Sequence, residues 1–77
     1  NFVNKVSEVI LNEKKELTII MSIGRKPSSA FLGKDFWEEK VFKLTEIVEY
    51  MGKKKTIPAV INLTNAKKVV VKFSDKS

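Results

Sequence analysis

Alternation of apolar and polar residues predicts a β-hairpin near the start of the chain. Residues 6–11 form a short apolar run, a polar cluster follows at 12–16, and apolar residues then occupy every second position over 17–23. Because successive side chains of a strand point to opposite faces of a sheet, these two segments are typical of paired strands. The polar cluster between them is then the connecting turn.

A second strand pair is predicted at the end of the chain. Apolar residues alternate with their neighbours from Ile57 to Leu63 and again from Val69 to Phe73, with a polar break at Asn65-Ala66. Pro58 lacks the backbone N–H that an internal ladder position requires, so we expect it at the start of its strand.

An amphipathic helix is predicted between the two pairs. We expect Asp35 at the N-cap, with Glu38 three residues later as in a capping box, and Gly52 at a left-handed C-terminal cap. Positions recurring every three or four residues form one apolar stripe that should face the core: Trp37, Val41, Leu44, Val48 and Met51, widened by Phe36 and Ile47. Phe42 falls on the polar side, where we expect a neighbouring loop or the N-terminal segment to cover it.

These elements define the fold class as α+β. We expect a loop at 25–29, which contains Pro27, and only a brief extended segment at 30–32. The order is therefore β-β-short β-α-β-β, a mostly antiparallel sheet with one amphipathic helix packed on one face. A chain of 77 residues holds one domain with one small core. Because it begins with Asn1 instead of methionine, we expect it to be a piece of a longer protein.

The positive charge of the chain is concentrated in its final third. Residues 1–51 carry eight basic and eight acidic side chains, whereas residues 52–77 carry seven lysines against Asp75 alone, so the net charge of +6 belongs to this last part. No apolar run approaches the roughly 18 to 20 residues that span a bilayer, and no signal-peptide pattern opens the chain. A basic β-hairpin that ends the chain is a place to expect a partner.

Catalysis is not indicated by the residue types present. The chain has no histidine and no cysteine, and the acidic residues between 35 and 49 are explained by helix capping and a solvated helix face. Ser28-Ser29 has no neighbouring base, no phosphate-binding glycine motif occurs, and soft metal ligands are lacking. We therefore expect neither an enzyme nor a cofactor, a metal or a small-molecule substrate.

Nucleic-acid binding is the alternative function that the charge leaves open. A pI near 9.7 suits phosphate contacts. Single-strand binders, however, interleave exposed aromatic and basic residues on a sheet, whereas most aromatic residues here lie on the predicted helix and only Phe73 lies within the basic hairpin. No RNP motif, G-x-x-G loop or helix-turn-helix spacing is present. We expect a nucleic-acid partner less than a protein partner.

Four short segments in this order resemble the C-terminal β domain of the FtsQ/DivIB cell-division proteins. They are the run Ala30-Phe31-Leu32-Gly33, a helix with Lys40 and Leu44 on its inner side, the strand Ile61-Asn62-Leu63, and the strand Lys68 to Lys72. In that family an extended segment ends in a Leu-Gly pair, a helix with Lys and Leu follows, and an "I-D-L-R" or "I-N-L" strand leads by a hairpin into a terminal "V-V" strand. The resemblance covers roughly residues 17–73.

The resemblance implies a non-catalytic scaffold of the divisome, the complex that builds the bacterial septum. A transmembrane helix and a POTRA domain would precede this segment, which would lie on the extracytoplasmic side of the bacterial plasma membrane in a single-pass membrane protein. The implied partners are the bitopic coiled-coil division proteins of the FtsB/DivIC and FtsL type. They would bind at Thr64, Asn65, Lys67, Val69, Val70, Val71, Lys72 and Phe73. Some members of the family have an Arg-Tyr pair where Thr64-Asn65 stands here.

Strand addition at the end of the sheet is the mechanism that we predict from the residues themselves. An extended partner segment would pair with the open edge of Lys67 to Phe73, which is about 23 Å long at about 3.3 Å per residue. Phe73 is the expected apolar anchor, and the lysines of this segment would attract acidic residues of the partner. The same lysines also oppose unwanted self-pairing of an edge strand, and the two roles are compatible.

Overall fold

The computed structural model of the protein describes residues 5–23, 26–65 and 67–73. It contains one sheet of five strands and one helix. Their bounds are β1 Val6–Leu11, β2 Leu17–Ile23, β3 Lys26–Gly33, α1 Trp37–Lys54, β4 Pro58–Asn65 and β5 Lys68–Phe73. The α+β class, the order of the elements and the position of Pro58 at the start of β4 are as the sequence predicts.

The strands lie side by side in the order in which they occur along the chain. β1 pairs with β2, β2 with β3 and β4 with β5, all antiparallel, whereas β3 and β4 are parallel. A parallel connection needs a crossover, and α1 provides it by leaving the end of β3 and returning the chain to the start of β4. The sheet is therefore mixed but mostly antiparallel, with β1 and β5 at its two edges.

One face of the sheet packs against α1 and forms the core. Alternate residues of β2, β3 and β4 point towards the helix, and Leu44 and Val48 of the helix pack against them. The buried apolar side chains are Ile19, Met21, Ile23, Ala30, Leu32, Leu44, Val48, Ile61 and Leu63. The helix lies closest to β3 and β4. β5 is consequently at the margin of the core, and its Val69 and Val71 are only partly buried against it.

The prediction of a loop at 25–29 is wrong for the residues that the structure describes. β3 begins at Lys26 and includes Pro27, which pairs with Ser22 of β2. On its other side β3 pairs with β4 only over Ser29 to Phe31. Pro27 therefore stands where β3 has a partner on one side alone, and a residue without an N–H is tolerated there. The brief segment predicted at 30–32 is the end of this longer strand, and Arg25 lies outside the described residues.

The predicted N-cap at Asp35 is also wrong. α1 begins at Trp37, and its N-cap is Phe36 in the left-handed backbone region (φ 55°), with no side-chain hydrogen bond to the first turn. Asp35 instead lies 3.3 Å from Lys40 Nζ. Phe36 does not widen the apolar stripe, because 62% of its surface is exposed. The remaining stripe residues, from Trp37 to Met51, are buried or half-buried as predicted.

The helix extends beyond Gly52, which is not its C-terminal cap. Gly52 lies inside the last turn, and the left-handed position falls on Lys55 (φ 59°). The Lys55 N–H donates to the Gly52 carbonyl at 3.2 Å and the Thr56 N–H to the Met51 carbonyl at 3.1 Å. This pair of bonds is a Schellman motif, which needs a left-handed residue and is satisfied here by a residue with a Cβ.

Phe42 is not covered by a neighbouring segment within the described residues. Its exposed fraction is 68%, the highest among the large apolar side chains that the structure describes. The prediction that a neighbouring loop would cover Phe42 is therefore wrong; of the N-terminal segment, which was the other predicted cover, residues 1–4 lie outside the described residues.

Because Lys55 has a left-handed backbone conformation, we expect glycine at this position to stabilise the fold. Lys55→Gly should raise the free energy of unfolding by about 1 kcal/mol, because glycine adopts this conformation without the Cβ clash. Thermal unfolding followed by circular dichroism measures the change, expected as an increase of about 4 to 8 °C in Tm. Lys53→Gly is the matched control inside the helix and should lower stability by about 1 kcal/mol. Equal effects of both substitutions would contradict the assignment of the cap.

A candidate partner-binding edge

β5 forms one edge of the sheet, and its outer side is free within the described part of the chain. β4 pairs with one side of β5, and no strand among residues 5–23, 26–65 and 67–73 pairs with the other. An edge strand presents alternate N–H and C=O groups that have no sheet partner. The edge predicted from the sequence is thus present in the structure, as is a second edge at β1.

The predicted site residues fall on two neighbouring pieces of one hairpin. Thr64 and Asn65 end β4, Lys67 lies in the connection, and the other five belong to β5. The structure brings them into one continuous strip along the margin of the sheet. Most of them are exposed, and the half-buried ones are Val69 and Val71.

Side chains of β4 hold the hairpin connection in place. The Asn62 Oδ1 accepts hydrogen bonds from the Thr64 N–H at 3.0 Å and from the Thr64 hydroxyl at 2.7 Å. The Asn65 Oδ1 accepts a bond from the Lys67 N–H at 2.9 Å. The Thr64 and Asn65 side chains therefore make hydrogen bonds within the hairpin that shape the turn, and both residues remain exposed.

The two faces of β5 differ in chemistry. Val71 is opposite Ile61 of the core, so Val69, Val71 and by alternation Phe73 lie on the helix side of the sheet. Val70 and Lys72 pair with Asn62 and Val60 and lie on the side that the helix leaves open. A strand added to β5 would therefore meet apolar side chains on one face and lysines on the other.

A buried lysine connects α1 to the hairpin that carries this edge. Lys40 is only 4% exposed, and its Nζ donates to the Leu32 carbonyl at 2.8 Å and to the Thr64 carbonyl at 3.4 Å. Asp35 supplies the third partner at 3.3 Å, from a largely exposed position. A buried ammonium group needs partners for its protons, and these three acceptors supply them.

The end of β3 packs directly against the same part of β4. A Cβ added to Gly33 (φ 81°) would lie 3.4 Å from the Thr64 Cγ2, and the Gly33 carbonyl accepts a 2.8 Å hydrogen bond from the Trp37 indole. We call Gly33, Trp37, Lys40 and Thr64 the helix junction. It fixes the end of β4, and hence the start of the turn into β5, relative to the helix.

Only part of the helix junction could be predicted from the sequence. The resemblance placed Lys40 on the inner side of the helix, and the structure agrees, but the hydrogen bonds to Leu32 and Thr64 were not foreseen. The available signal was the spacing of Trp37, Lys40 and Leu44, which places a lysine on the apolar stripe.

The face of the sheet opposite α1 is more apolar than basic. One row crosses all five strands through paired residues: Ile10, Thr18, Phe31, Asn62 and Val70. Of these, Phe31 is an exposed aromatic side chain. Lys72 lies at the β5 margin of this face, and Glu8 at the opposite margin. The lysines therefore follow the sheet edge and do not form a basic surface around Phe31.

Neither a metal site nor a membrane span is found in the part of the chain that the structure describes. No group of three acidic, histidine or cysteine side chains converges there. α1 is too polar to cross a bilayer, since charged residues line its outer face. Comparison of the chain with protein-family models, curated proteins and solved structures finds no match.

We expect substitution of the buried Lys40 to destabilise the fold. Lys40→Met should lower the free energy of unfolding by about 1 to 3 kcal/mol, because it leaves the Leu32 and Thr64 carbonyls without their donor. Chemical denaturation measures this loss. Lys43→Met changes an exposed lysine of the same helix and should stay within about 0.5 kcal/mol of the parent. A Lys40→Met protein as stable as the Lys43→Met control would show that the junction is not held by Lys40.

Proposed function

We propose that this chain is a non-catalytic interaction module that binds an extended polypeptide segment by strand addition at the outer edge of β5. The observation that carries the proposal is the position of β5, which has a partner strand on one side only among residues 5–23, 26–65 and 67–73 and carries exposed lysines. Such an edge offers backbone hydrogen bonds to a foreign strand, and side-chain contacts supply the selectivity.

The free energy of the backbone hydrogen bonds is too small for backbone pairing alone to make a specific complex. A strand of six residues offers about four outward hydrogen bonds, each worth about 0.5 to 1.5 kcal/mol net. A micromolar complex requires about 8 kcal/mol, and ordering of the partner segment adds a cost. Contacts to the apolar and basic faces of β5 must therefore contribute a comparable share.

We further propose that the module belongs to a divisome scaffold of the FtsQ/DivIB type. The segments that carry this resemblance have compatible positions: the Leu32-Gly33 pair ends β3, Lys40 and Leu44 are buried on the inner face of α1, and the Lys68 to Lys72 segment is the edge strand. The partners would be bitopic proteins of the FtsB/DivIC and FtsL type, on the extracytoplasmic side of the plasma membrane.

Two proline substitutions in neighbouring residues of β5 test the strand addition. Successive residues of a strand direct their N–H groups to opposite sides, so one of Val70 and Val71 donates towards β4 and the other towards the free edge. The variant that loses the outward donor should keep the fold, because proline is tolerated at a free edge, and should bind an FtsB/DivIC-type segment at least about tenfold more weakly. The other variant should lose stability.

Chemical-shift mapping with that segment provides the readout. We expect shifts concentrated at residues 64–73 and little change along α1 beyond its contacts with β5. Shifts at β1, or at Phe31 on the open face, would contradict the proposed edge. Binding of generic oligonucleotides with a steep salt dependence would favour the nucleic-acid function instead.

A further inference from the structure

A shallow groove runs beside β5 on the helix side of the sheet. Its strand wall is formed by Val69 and Val71, and its helix wall by Ile47, Tyr50 and Met51. The groove exists because α1 lies over β3 and β4 and not over β5. We call this depression the α1–β5 groove.

A smaller hollow lies next to the groove at the hairpin end of β5. It is bounded by Lys40 and Asn65 and shares Lys43 and Val69 with the groove. The two depressions together follow β5 along most of its length. A segment paired with the edge of β5 would direct every second side chain into them.

The opposite face of the same edge is basic. Val70 and Lys72 lie on the side of the sheet that α1 leaves open, strand alternation places Lys68 on the same side, and all three are exposed. On the helix side the rim of the groove is formed by Lys43 and Glu46, which balance each other in charge. Lys54 Nζ also lies on the helix side, 5.5 Å from the centroid of the Tyr50 ring. Lys68 and Lys72 place two further positive charges beside the open face of an added strand.

We infer that the α1–β5 groove and the lysines on the other face together select a segment in which apolar and acidic residues alternate. The apolar residues would occupy the groove, and the acidic residues would lie beside Lys68 and Lys72. This inference rests on the proposed strand addition and specifies the chemistry of the partner. Because side chains alternate with a period of two, the pattern of the partner matters as well as its composition.

Charge argues against a second copy of β5 as the occupant. In a symmetric antiparallel pair centred on Val70, each Lys68 would lie opposite the Lys72 of the other copy. Like charges directly opposite in a strand pair are destabilising. The acidic partner segment therefore fits this edge better than self-association does.

Two synthetic peptides of identical composition test the alternation. One alternates four valines with four glutamates, and its isomer places the valines in one block and the glutamates in another. Titration of the labelled chain by NMR should give shifts along residues 67–73 and a Kd at least about tenfold lower for the alternating peptide. A peptide that alternates valine with lysine should bind more weakly still. Equal affinity for the two isomers would overturn the inference.

Matched substitutions on α1 test the groove itself. Tyr50→Gln combined with Met51→Gln removes apolar surface from the helix wall and should weaken the alternating peptide by about fivefold or more. Phe42→Gln removes an exposed aromatic residue of the same helix outside the groove and should change the affinity less than twofold. Unchanged binding in the Tyr50/Met51 variant would overturn the role of the groove.

The outcomes separate this inference from the strand addition on which it rests. If both peptides shift β5 with the same affinity, and the Tyr50/Met51 variant binds as the parent does, strand addition is supported and the proposed selectivity is overturned. No shifts in β5 with any peptide at millimolar concentration would overturn both. Dimerisation of the free chain through β5 would overturn the choice of an acidic partner.

Discussion

The hydrogen bonds of one buried lysine fix the relation between the helix and the edge of the sheet. Lys40 Nζ joins the end of β3 to the end of β4 through the Leu32 and Thr64 carbonyls, while Leu44 and Val48 of the same helix pack into the core. An ammonium group buried to this extent is costly unless its protons find acceptors, so the helix has one preferred position over the sheet. The groove beside β5 follows from that position, whereas the edge itself follows from the strand order.

An apolar groove lies beside the edge because the helix does not cover β5. With α1 placed over β3 and β4, the core closes around Ile61 and Leu63, and Val69 and Val71 are left half-buried at its margin. A larger helical layer would bury them and remove the groove. The arrangement gives an edge strand with an apolar side, which favours binding, and a lysine side, which disfavours pairing between copies. Both properties are expected of a module that must bind one partner and avoid itself.

Much of this fold could be predicted from periodicity, because alternation in residues 17–23 and a three-to-four spacing from Trp37 to Met51 are strong signals. The errors occurred where local rules compete with tertiary context. Asp35 matches a capping box but is near Lys40 instead, and Gly52 lies one turn before the left-handed position, which Lys55 occupies. Pro27 looked like a loop residue because its one-sided pairing in β3 depends on where the pairing with the parallel strand β4 begins. The edge at β5 was predictable from strand order, whereas the groove depends on the helix position, which no sequence pattern specified.

Amide hydrogen exchange along β5 tests the central claim most directly. If the outer edge is free, alternate amides of Lys68 to Phe73 should exchange rapidly in the isolated chain, while those bonded to β4 remain protected. Addition of an FtsB/DivIC-type segment should then protect the rapidly exchanging set. Protection of every amide of β5 in the isolated chain would contradict the account, because it would mean that this edge already has a partner.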